Sequence, residues 1–474
     1  MGEEAKTVIS GDAHHQAGAI RWGEMTATEL LAETLERIGR FDQGLRAYVT
    51  VDAAGAMTAA EQADDELKRV GADQVPPFHG VPLSIKDVID VAGMPTTHSC
   101  KALVDNVAEV DAPLVRRFRE AGFIIVGKTN VPEFCTSMTA SELNGVCRNP
   151  WDMDRTAGGS SGGAAAAVAA RLCAVGHGTD GAGSVRVPAS FCGLVGLKPT
   201  RRLIAFGPDE DELYFGTSEA GILSRSVRDA AALLDVMVGY RSADSSWSPR
   251  PSRSYTDQLG RDLPRLKVAV CTTPPFGEVT EDCERAALGA GKLLESLGHT
   301  VETATPDWGA ILVAAAGPMS VPGPAALVNP DQYHLVEPRN RPLVGRLAAM
   351  TLLDHYRWAE QTRRAAASFV RFWDRFDVLV SPTCGIVAPS VDWAPWDQTP
   401  EEHMGVFATF PSFAQPFNLS GQPALSLPLG WSSEGLPIGV QIAGRKLGER
   451  QLLALAAELE GAAPWAHRAA PGID

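Results

Sequence analysis

Apolar residues recur along the chain with two different periods, and these periods predict alternating helices and strands. Residues 26–41 carry leucine and isoleucine at helical spacing, and Thr26 with Glu29 three residues later matches a capping box. Short apolar runs bounded by glycine, such as residues 123–127, predict buried strands. The strand–helix–strand order between residues 80 and 127 favours an α/β fold over segregated α and β layers.

The same patterns predict elements along the rest of the chain. Predicted helices cover residues 52–70, 112–122, 164–170, 227–239, 281–297, 346–376 and 448–460. Predicted strands cover residues 80–91, 172–175, 266–270, 377–380, 425–429 and 438–442. Residues 311–345 and 385–412 are rich in proline and lack a clear period, so we expect irregular structure there.

The chain shows no internal repeat and no flexible linker, so we expect one compact unit. Residues 1–75 are predicted to form a helical lead-in that packs on the core, and residues 76–474 the main domain. A length of 474 residues permits one large α/β unit. The composition, 45% hydrophobic and 21% charged, is typical of a protein with a large folded core.

Charge and cysteine spacing narrow the function classes. The net charge of −15 argues against broad electrostatic binding to nucleic acid or to anionic membranes. The first 15 residues lack the pattern of a secretory signal, and no apolar run is long enough to span a bilayer. The 8 cysteines show no metal-binding spacing and are interpreted as small buried residues of a reduced protein. We therefore expect a cytoplasmic protein without a metal or cofactor, and a homodimer remains an open alternative.

The most unusual stretch is residues 155–202, which is rich in glycine, serine and alanine. It contains two glycine clusters that carry serines, GGSSGG at 158–163 and GAGS at 181–184. The first cluster opens an alanine-rich helical run, and the second follows a short apolar strand. Glycine permits close approach of another group, so two such loops side by side are suited to acyl chemistry.

Three residues are candidates for that chemistry, each with a simpler alternative. Lys86 lies in an apolar run. If it is buried, its pKa would be lowered and it could act as a general base. The alternative is that it points to solvent, as a lysine on a strand commonly does. Ser184 is a candidate nucleophile next to successive backbone N–H groups, or a residue of an ordinary tight turn. Ser160 is a candidate proton relay, or a helix N-cap hydroxyl.

Several ordered segments together resemble the amidase signature hydrolases, from about residue 26 to the end of the chain. These segments are SIKD at 84–87, GKTN at 127–130, NPWD at 149–152, GGSSGG at 158–163, DGAGSVR at 180–186, FCGLVGLKPT at 191–200, FNLSGQPA at 417–424 and GLPIG at 435–439. The resemblance implies a single large α/β/α domain, with a mixed central β-sheet covered by helices on both faces.

The resemblance also implies a Ser–cis-Ser–Lys triad. Ser184 would be the nucleophile, Ser160 the relay after a cis Gly159–Ser160 peptide, and Lys86 the base and later the acid. The residues implied for the oxyanion site and substrate binding are Gly181, Ala182, Gly183, Ser137 and Met138, with the Ser184 N–H as a further oxyanion donor. The residues implied for a supporting polar network are Ser161, Asp180 and Arg186.

The nucleophile loop departs from the family pattern at one position. The family usually has Thr-Gly-Gly-Ser, whereas this chain has Gly181-Ala182-Gly183-Ser184. If Ala182 had to adopt a positive φ, its Cβ would make the loop shift or bear strain.

The resemblance implies hydrolysis of a small-molecule carboxamide to a carboxylate and ammonia or an amine through an acyl-enzyme, without a cofactor. One alternative is the A subunit of a tRNA-dependent amidotransferase, which acts as a glutaminase. Residues 417–423 look more like the stand-alone amidases. The other alternative is a non-catalytic binding protein of the same fold.

Overall fold

The computed structural model of the chain describes residues 8–206, 216–239, 251–309, 311, 323–407 and 410–473. The strands are β1 (Tyr48–Val51), β2 (Pro82–Lys86), β3 (Ile124–Thr129), β4 (Ala140–Ser141), β5 (Gly145–Val146), β6 (Arg148–Asn149), β7 (Asp152–Thr156), β8 (Val175–Asp180), β9 (Val195–Lys198), β10 (Glu219–Ser224), β11 (Lys267–Val270), β12 (Thr300–Thr303), β13 (Val378–Pro382), β14 (Ala424–Trp431) and β15 (Pro437–Gly444). The α-helices are α1 (Ala13–Arg21), α2 (Ala27–Leu45), α3 (Ala53–Val70), α4 (Pro113–Glu120), α5 (Gly162–Ala169), α6 (Arg186–Cys192), α7 (Val227–Met237), α8 (Glu281–Ser296), α9 (Arg341–Ala349), α10 (Leu352–Phe369), α11 (Pro400–Phe407), α12 (Gln415–Ser420) and α13 (Glu449–Ala462).

Eleven strands of the described residues form one mixed sheet. Their order is β1-β3-β2-β8-β10-β9-β14-β15-β13-β11-β12. Strand β2 is parallel to β3 and β8, and β11 is parallel to β12 and β13. The other neighbouring pairs are antiparallel. The mixed sheet that the resemblance implied is therefore confirmed.

Helices cover both faces of this sheet. On β3, Ile125 belongs to one hydrophobic cluster, whereas Ile124 and Val126 belong to another. On β13, Val380 belongs to the first cluster and Leu379 to a third, aromatic one. Because neighbouring strand residues point to opposite faces, these clusters lie on the two sides of the sheet. The expected α/β/α architecture is confirmed.

The N-terminal part supplies a strand as well as helices. The predicted capping box is present, with Thr26 and Glu29 bonded reciprocally at the start of α2. Residues 1–75 were expected to be helical, but their strand β1 joins the main sheet, where Tyr48 pairs with Thr129. This strand has only four residues and a half-exposed pattern, so its periodicity was too short to read.

Two other expectations differ from the structure. Residues 346–376 do not form one helix, because α9 ends at Ala349 and a second capping box, Thr351 with Asp354, begins α10. A 3₁₀-helix, Val370–Asp374, then follows α10. The segments expected to be irregular contain the start of α9 and all of α11, while residues 310, 312–322 and 408–409 lie outside the described residues. None of the described helices combines the length and apolarity that a bilayer span requires.

Candidate active site

Lys86 ends strand β2 and is completely buried between β3 and β8. Its Nζ lies 2.7 Å from Ser160 Oγ, 2.8 Å from Thr179 Oγ1 and 3.3 Å from the Thr179 carbonyl oxygen. Burial lowers the pKa of Lys86 because the ammonium loses its hydration. The solvent-pointing alternative for this lysine is therefore wrong.

A second buried lysine, Lys128, has a different environment. Lys128 Nζ lies 3.0 Å from Asp87 Oδ1, and both side chains are completely buried. Lys86, in contrast, bonds to two hydroxyls and a carbonyl oxygen, and the Cys135 thiol and the charge of Asp180 oppose the effect of burial on its pKa without outweighing it. A carboxylate favours the charged form of a lysine, so Lys86 is the better suited of the two to be a neutral base.

Ser160 follows a cis peptide bond from Gly159, as the resemblance implied. A Cβ added at Gly159 would lie 2.1 Å from the Ser137 carbonyl oxygen and 2.6 Å from Met138 Cα, so only glycine fits. Ser137 thus contacts this loop through its backbone. In the described part of the chain its buried hydroxyl has no hydrogen-bond partner, and Met138 packs in an apolar cluster.

Ser161 connects the two serine-bearing loops. Its backbone N–H donates to the Ser184 carbonyl oxygen at 3.1 Å, and its hydroxyl donates to the Thr179 carbonyl oxygen at 3.2 Å. Ser161 occupies the N-cap position of α5 but makes no side-chain cap bond there. Ser184 is half-buried, just before α6. The structure therefore brings Lys86 to Ser160, and Ser161 to Ser184.

Asp180 and Arg186 form a buried bidentate ion pair beside the loop of residues 181–184. Arg186 Nε lies 2.9 Å from Asp180 Oδ2, and Arg186 Nη2 lies 2.8 Å from Oδ1. Burial raises the pKa of Asp180, but the charge and hydrogen bonds of Arg186 outweigh it, so the pKa lies well below its usual value. Arg186 also donates to three groups of the C-terminal part, the Ala414 carbonyl at 2.9 Å, Gln441 Oε1 at 2.7 Å and Asn418 Oδ1 at 2.7 Å.

The Asp180 carboxylate also bonds directly to the backbone of this loop and of the residues that follow it. Its oxygens accept the backbone N–H groups of Gly183 at 2.8 Å, Val185 at 3.2 Å and Arg186 at 3.3 Å. Of the four N–H groups expected to face an oxyanion, that of Gly183 is therefore already occupied. One N–H cannot serve two acceptors well, so Gly183 is the least suited of the four to be an oxyanion donor.

Ala182 fits the loop without a positive φ. The positive φ of this loop, 113°, falls on Gly183, and Ala182 is absent from the described non-glycine residues with φ above zero. The Ala182 methyl group packs against an aromatic cluster that includes Trp373 and Phe417. Ala182 therefore packs against apolar side chains, and its backbone does not need a positive φ.

Sequence reasoning missed three polar residues of this site. Thr179 contacts Lys86, and its place on β8, the parallel neighbour of β2, was the available signal. Asn418 and Gln441 contact Arg186, and both are amides inside otherwise apolar C-terminal segments. Among the described residues, His, Cys, Asp and Glu side chains form no group of three that could hold a metal ion.

This combination of fold and site defines a class of amide-bond hydrolases. A family model described as Amidase matches residues 29–321 and 328–453. The chain belongs to the amidase signature family, and it is an enzyme that acts on amide bonds.

Individual relatives cover almost the whole chain. It is 38% identical to the 6-aminohexanoate-cyclic-dimer hydrolase of Pseudomonas sp. (strain NK87), over 98% of this chain and 97% of that protein. A structure of 6-aminohexanoate cyclic dimer hydrolase complexed with substrate superposes with a TM-score of 0.89 at 36% identity, covering 98% of this chain and 100% of that one. The A subunit of glutamyl-tRNA(Gln) amidotransferase from Thermotoga maritima superposes with a TM-score of 0.76 at 28% identity, covering 94% and 95%.

Proposed function

We propose that this enzyme hydrolyses a small-molecule carboxamide through an acyl-enzyme on Ser184, with Ser160 as proton relay and Lys86 as base. The observation that carries the proposal is the 2.7 Å contact between buried Lys86 Nζ and Ser160 Oγ. Burial lowers the pKa of Lys86 and so favours the neutral amine, which can accept a proton. The Ser161 link to Ser184 supports the placement of the nucleophile beside this pair.

The reaction proceeds in two steps. Neutral Lys86 takes the proton of Ser160, which takes that of Ser184, while Ser184 Oγ forms a bond to the amide carbon. The Lys86 ammonium then returns the proton through Ser160 to the amide nitrogen, the C–N bond breaks, and ammonia or an amine leaves. Water attacks the acyl-enzyme by the same proton path, which releases the carboxylate and restores Ser184.

Backbone N–H groups of Gly181, Ala182 and Ser184 are the proposed oxyanion donors. The Gly183 N–H is not among them, because it donates to Asp180. Asp180, fixed by Arg186, instead holds the loop in the conformation that presents the other three donors. Donors held in place before the reaction stabilise the developing charge without reorganisation.

We propose a substrate with an apolar acyl group. Ala182 packs on the aromatic cluster of Trp373 and Phe417, while Met138 and Val187 belong to a second apolar cluster with Phe410. A chain of methylene groups would bury its surface well between such walls. The relative named 6-aminohexanoate-cyclic-dimer hydrolase makes cyclic and linear amides of ω-amino acids the first candidates.

The glutaminase alternative has less support. Its relative, the amidotransferase protein, superposes with a lower TM-score and lower identity than the cyclic-dimer hydrolase. The non-catalytic alternative leaves unexplained why a lysine is buried against Ser160 and Thr179. We place the reaction in the cytoplasm, which fits eight free cysteines of which seven are buried.

A substrate panel and three variants test the proposal. The panel contains 6-aminohexanoate cyclic dimer, an aliphatic anilide, a primary amide and glutamine. We expect turnover of the aliphatic amides and no preference for glutamine. Ser184→Ala, Ser160→Ala and Lys86→Met should lose nearly all turnover while staying folded by circular dichroism. A serine-reactive fluorophosphonate should label Ser184, and labelling of another residue, or a fully active Ser184→Ala, would overturn the nucleophile assignment.

A further inference from the structure

Arginine side chains line a cavity that contains none of the proposed catalytic residues. This cavity of about 250 Å³ lies between the start of α1, the α5–β8 turn, the end of α6, the β10–α7 turn and the C-terminal segment. The charged side chains that line it are Arg171, Arg225, Arg228, Arg468 and Asp12. The chain has a net charge of −15, but the lining of this cavity has four arginines and one carboxylate, so its local charge has the opposite sign.

The lining carboxylate is already engaged. Arg228 Nε lies 2.5 Å from Asp12 Oδ2, and Arg228 Nη2 lies 2.6 Å from Oδ1. Ser226 Oγ donates to the same carboxylate at 2.6 Å. Asp12 and Arg228 therefore neutralise each other, and the described lining as a whole keeps an excess of positive charge.

Arg225 keeps its charge inside the protein. Its guanidinium donates to the carbonyl oxygens of Cys173 at 3.2 Å and Val168 at 3.3 Å, and to that of Gly11. Carbonyl oxygens satisfy the N–H groups without cancelling the positive charge. Burial lowers the pKa of Arg225, so the protein around it disfavours its charged form. A bound anion would offset that cost.

Two acids behind the lining compensate only in part. Asp229 accepts the Ala13 N–H at 2.6 Å and contacts His14 Nδ1 at 2.7 Å. Glu460 accepts the Val227 N–H at 3.3 Å. Burial raises the pKa of both groups, and that of Glu460 reaches about 7, so Glu460 is only partly charged at neutral pH.

Two tryptophans give the cavity an apolar side. The indole N–H of Trp151 donates to the Cys192 carbonyl at 2.8 Å, and that of Trp465 donates to the Arg225 carbonyl at 2.9 Å. Their polar atoms are thus occupied, and the rings offer apolar surface. The guanidinium of Arg468, which also lines the cavity, lies 4.6 Å from the centre of the Trp431 ring and is held over its face.

We propose that this cavity binds a small oxyanion, a carboxylate or a phosphate, through Arg171 and Arg468, beside the buried charge of Arg225. Guanidinium groups bind both anions by paired hydrogen bonds. At about 30 Å³ per water molecule, the cavity has room for roughly eight waters, which suits inorganic phosphate or a benzoate-sized molecule. The site is separate from the proposed catalytic serines, and its existence does not depend on their roles.

Calorimetric titration at low salt tests this site with two probes, inorganic phosphate and benzoate. We expect at least one of them to bind saturably to the wild type. The double variant Arg171→Gln/Arg468→Gln should bind it at least about tenfold more weakly, because each lost charge-assisted bond contributes this much or more. Arg364→Gln, which removes an exposed arginine paired with Glu360 on α10, is the matched control and should bind normally. Ser184→Ala should also bind normally.

The two probes distinguish the source of the anion. Binding of phosphate alone assigns a phosphate site, and binding of benzoate, with or without phosphate, assigns a site that accepts organic carboxylates. The proposal is overturned if neither probe binds the wild type at about 10 mM. It is also overturned if the double variant, folded by circular dichroism, binds as tightly as the wild type, or if Ser184→Ala loses binding, since either result would place the anion elsewhere.

Discussion

Replacing Thr179 by valine would remove one of the acceptors around the proposed base. When Lys86 takes the proton of Ser184, its ammonium has three N–H groups. Three oxygens lie close to Nζ, Ser160 Oγ at 2.7 Å, Thr179 Oγ1 at 2.8 Å and the Thr179 carbonyl oxygen at 3.3 Å. Valine keeps the branched shape and the carbonyl but lacks the hydroxyl, so the ammonium loses one of these three oxygen acceptors.

The size and sign of the effect follow from that loss. A hydrogen bond to a charged group contributes about 1.5–3 kcal/mol, so kcat should fall about 10- to 150-fold. The KM should change little, because Thr179 contacts the base and not the proposed substrate walls. The ammonium form loses an acceptor, so the pKa of Lys86, which burial already lowers, should fall further. The acid limb of the kcat/KM profile should therefore move to lower pH.

The assay is a pH profile of kcat and KM for an aliphatic anilide between about pH 5 and pH 10. Thr179→Ser keeps the hydroxyl and serves as the matched control, with an expected kcat within about threefold of the wild type. Circular dichroism and thermal melting check the fold of both variants. A valine variant with wild-type kcat and an unmoved acid limb would refute the reasoning, as would a serine variant as slow as the valine one.

Three further substitutions test the packing and electrostatics around the site. Asp180→Asn should lower the free energy of unfolding by about 3–5 kcal/mol in urea, because Arg186 keeps a buried charge without its carboxylate; a loss below about 1 kcal/mol would contradict this. The pKa of Glu133 is raised from 4.5 to about 7, first by burial and then by the charge of Glu337. Protonated Glu133 thus favours the folded state, and that stability, up to about 3 kcal/mol, is lost as pH rises from about 4.5 to 7. Glu133→Gln should flatten the pH dependence over this range, and an unchanged slope would show that Glu133 titrates normally. Ala182→Gly should lower stability by about 1 kcal/mol, since it removes a packed methyl group and frees the loop backbone, and an equal or higher melting temperature would show that the methyl group does not contribute.

The sequence was sufficient to predict the fold class and to name the three residues of the proposed triad. Helical and strand periods are local, so α2, α8 and β3 were recognisable within a few residues. Close contacts require glycine beside Ser160, because a Cβ added at Gly159 would lie 2.1 Å from the Ser137 carbonyl oxygen. Where a backbone contact dictates the residue type, the sequence records it directly.

Other features depend on contacts that no local pattern encodes. Strand β10 contains Gly221 and has weak periodicity, yet it is paired on both sides, by β8 and β9. The Gly183 N–H donates to Asp180 because of the direction that the backbone takes there, and residue types do not specify that direction. The local sequence around Thr179 does not indicate its contact with Lys86, because that contact depends on the pairing of β2 with β8.

The anchoring of Arg186 to the C-terminal part makes the serine loop depend on segments that are synthesised late. Arg186 is separated from Ala414 by 228 positions, from Asn418 by 232 and from Gln441 by 255. A ribosome makes the serine loop long before it makes these partners, and contacts between such distant segments form slowly. The nascent chain therefore carries this loop without these contacts until the C-terminal segments have emerged, and the proposed nucleophile Ser184 reaches its final surroundings only then.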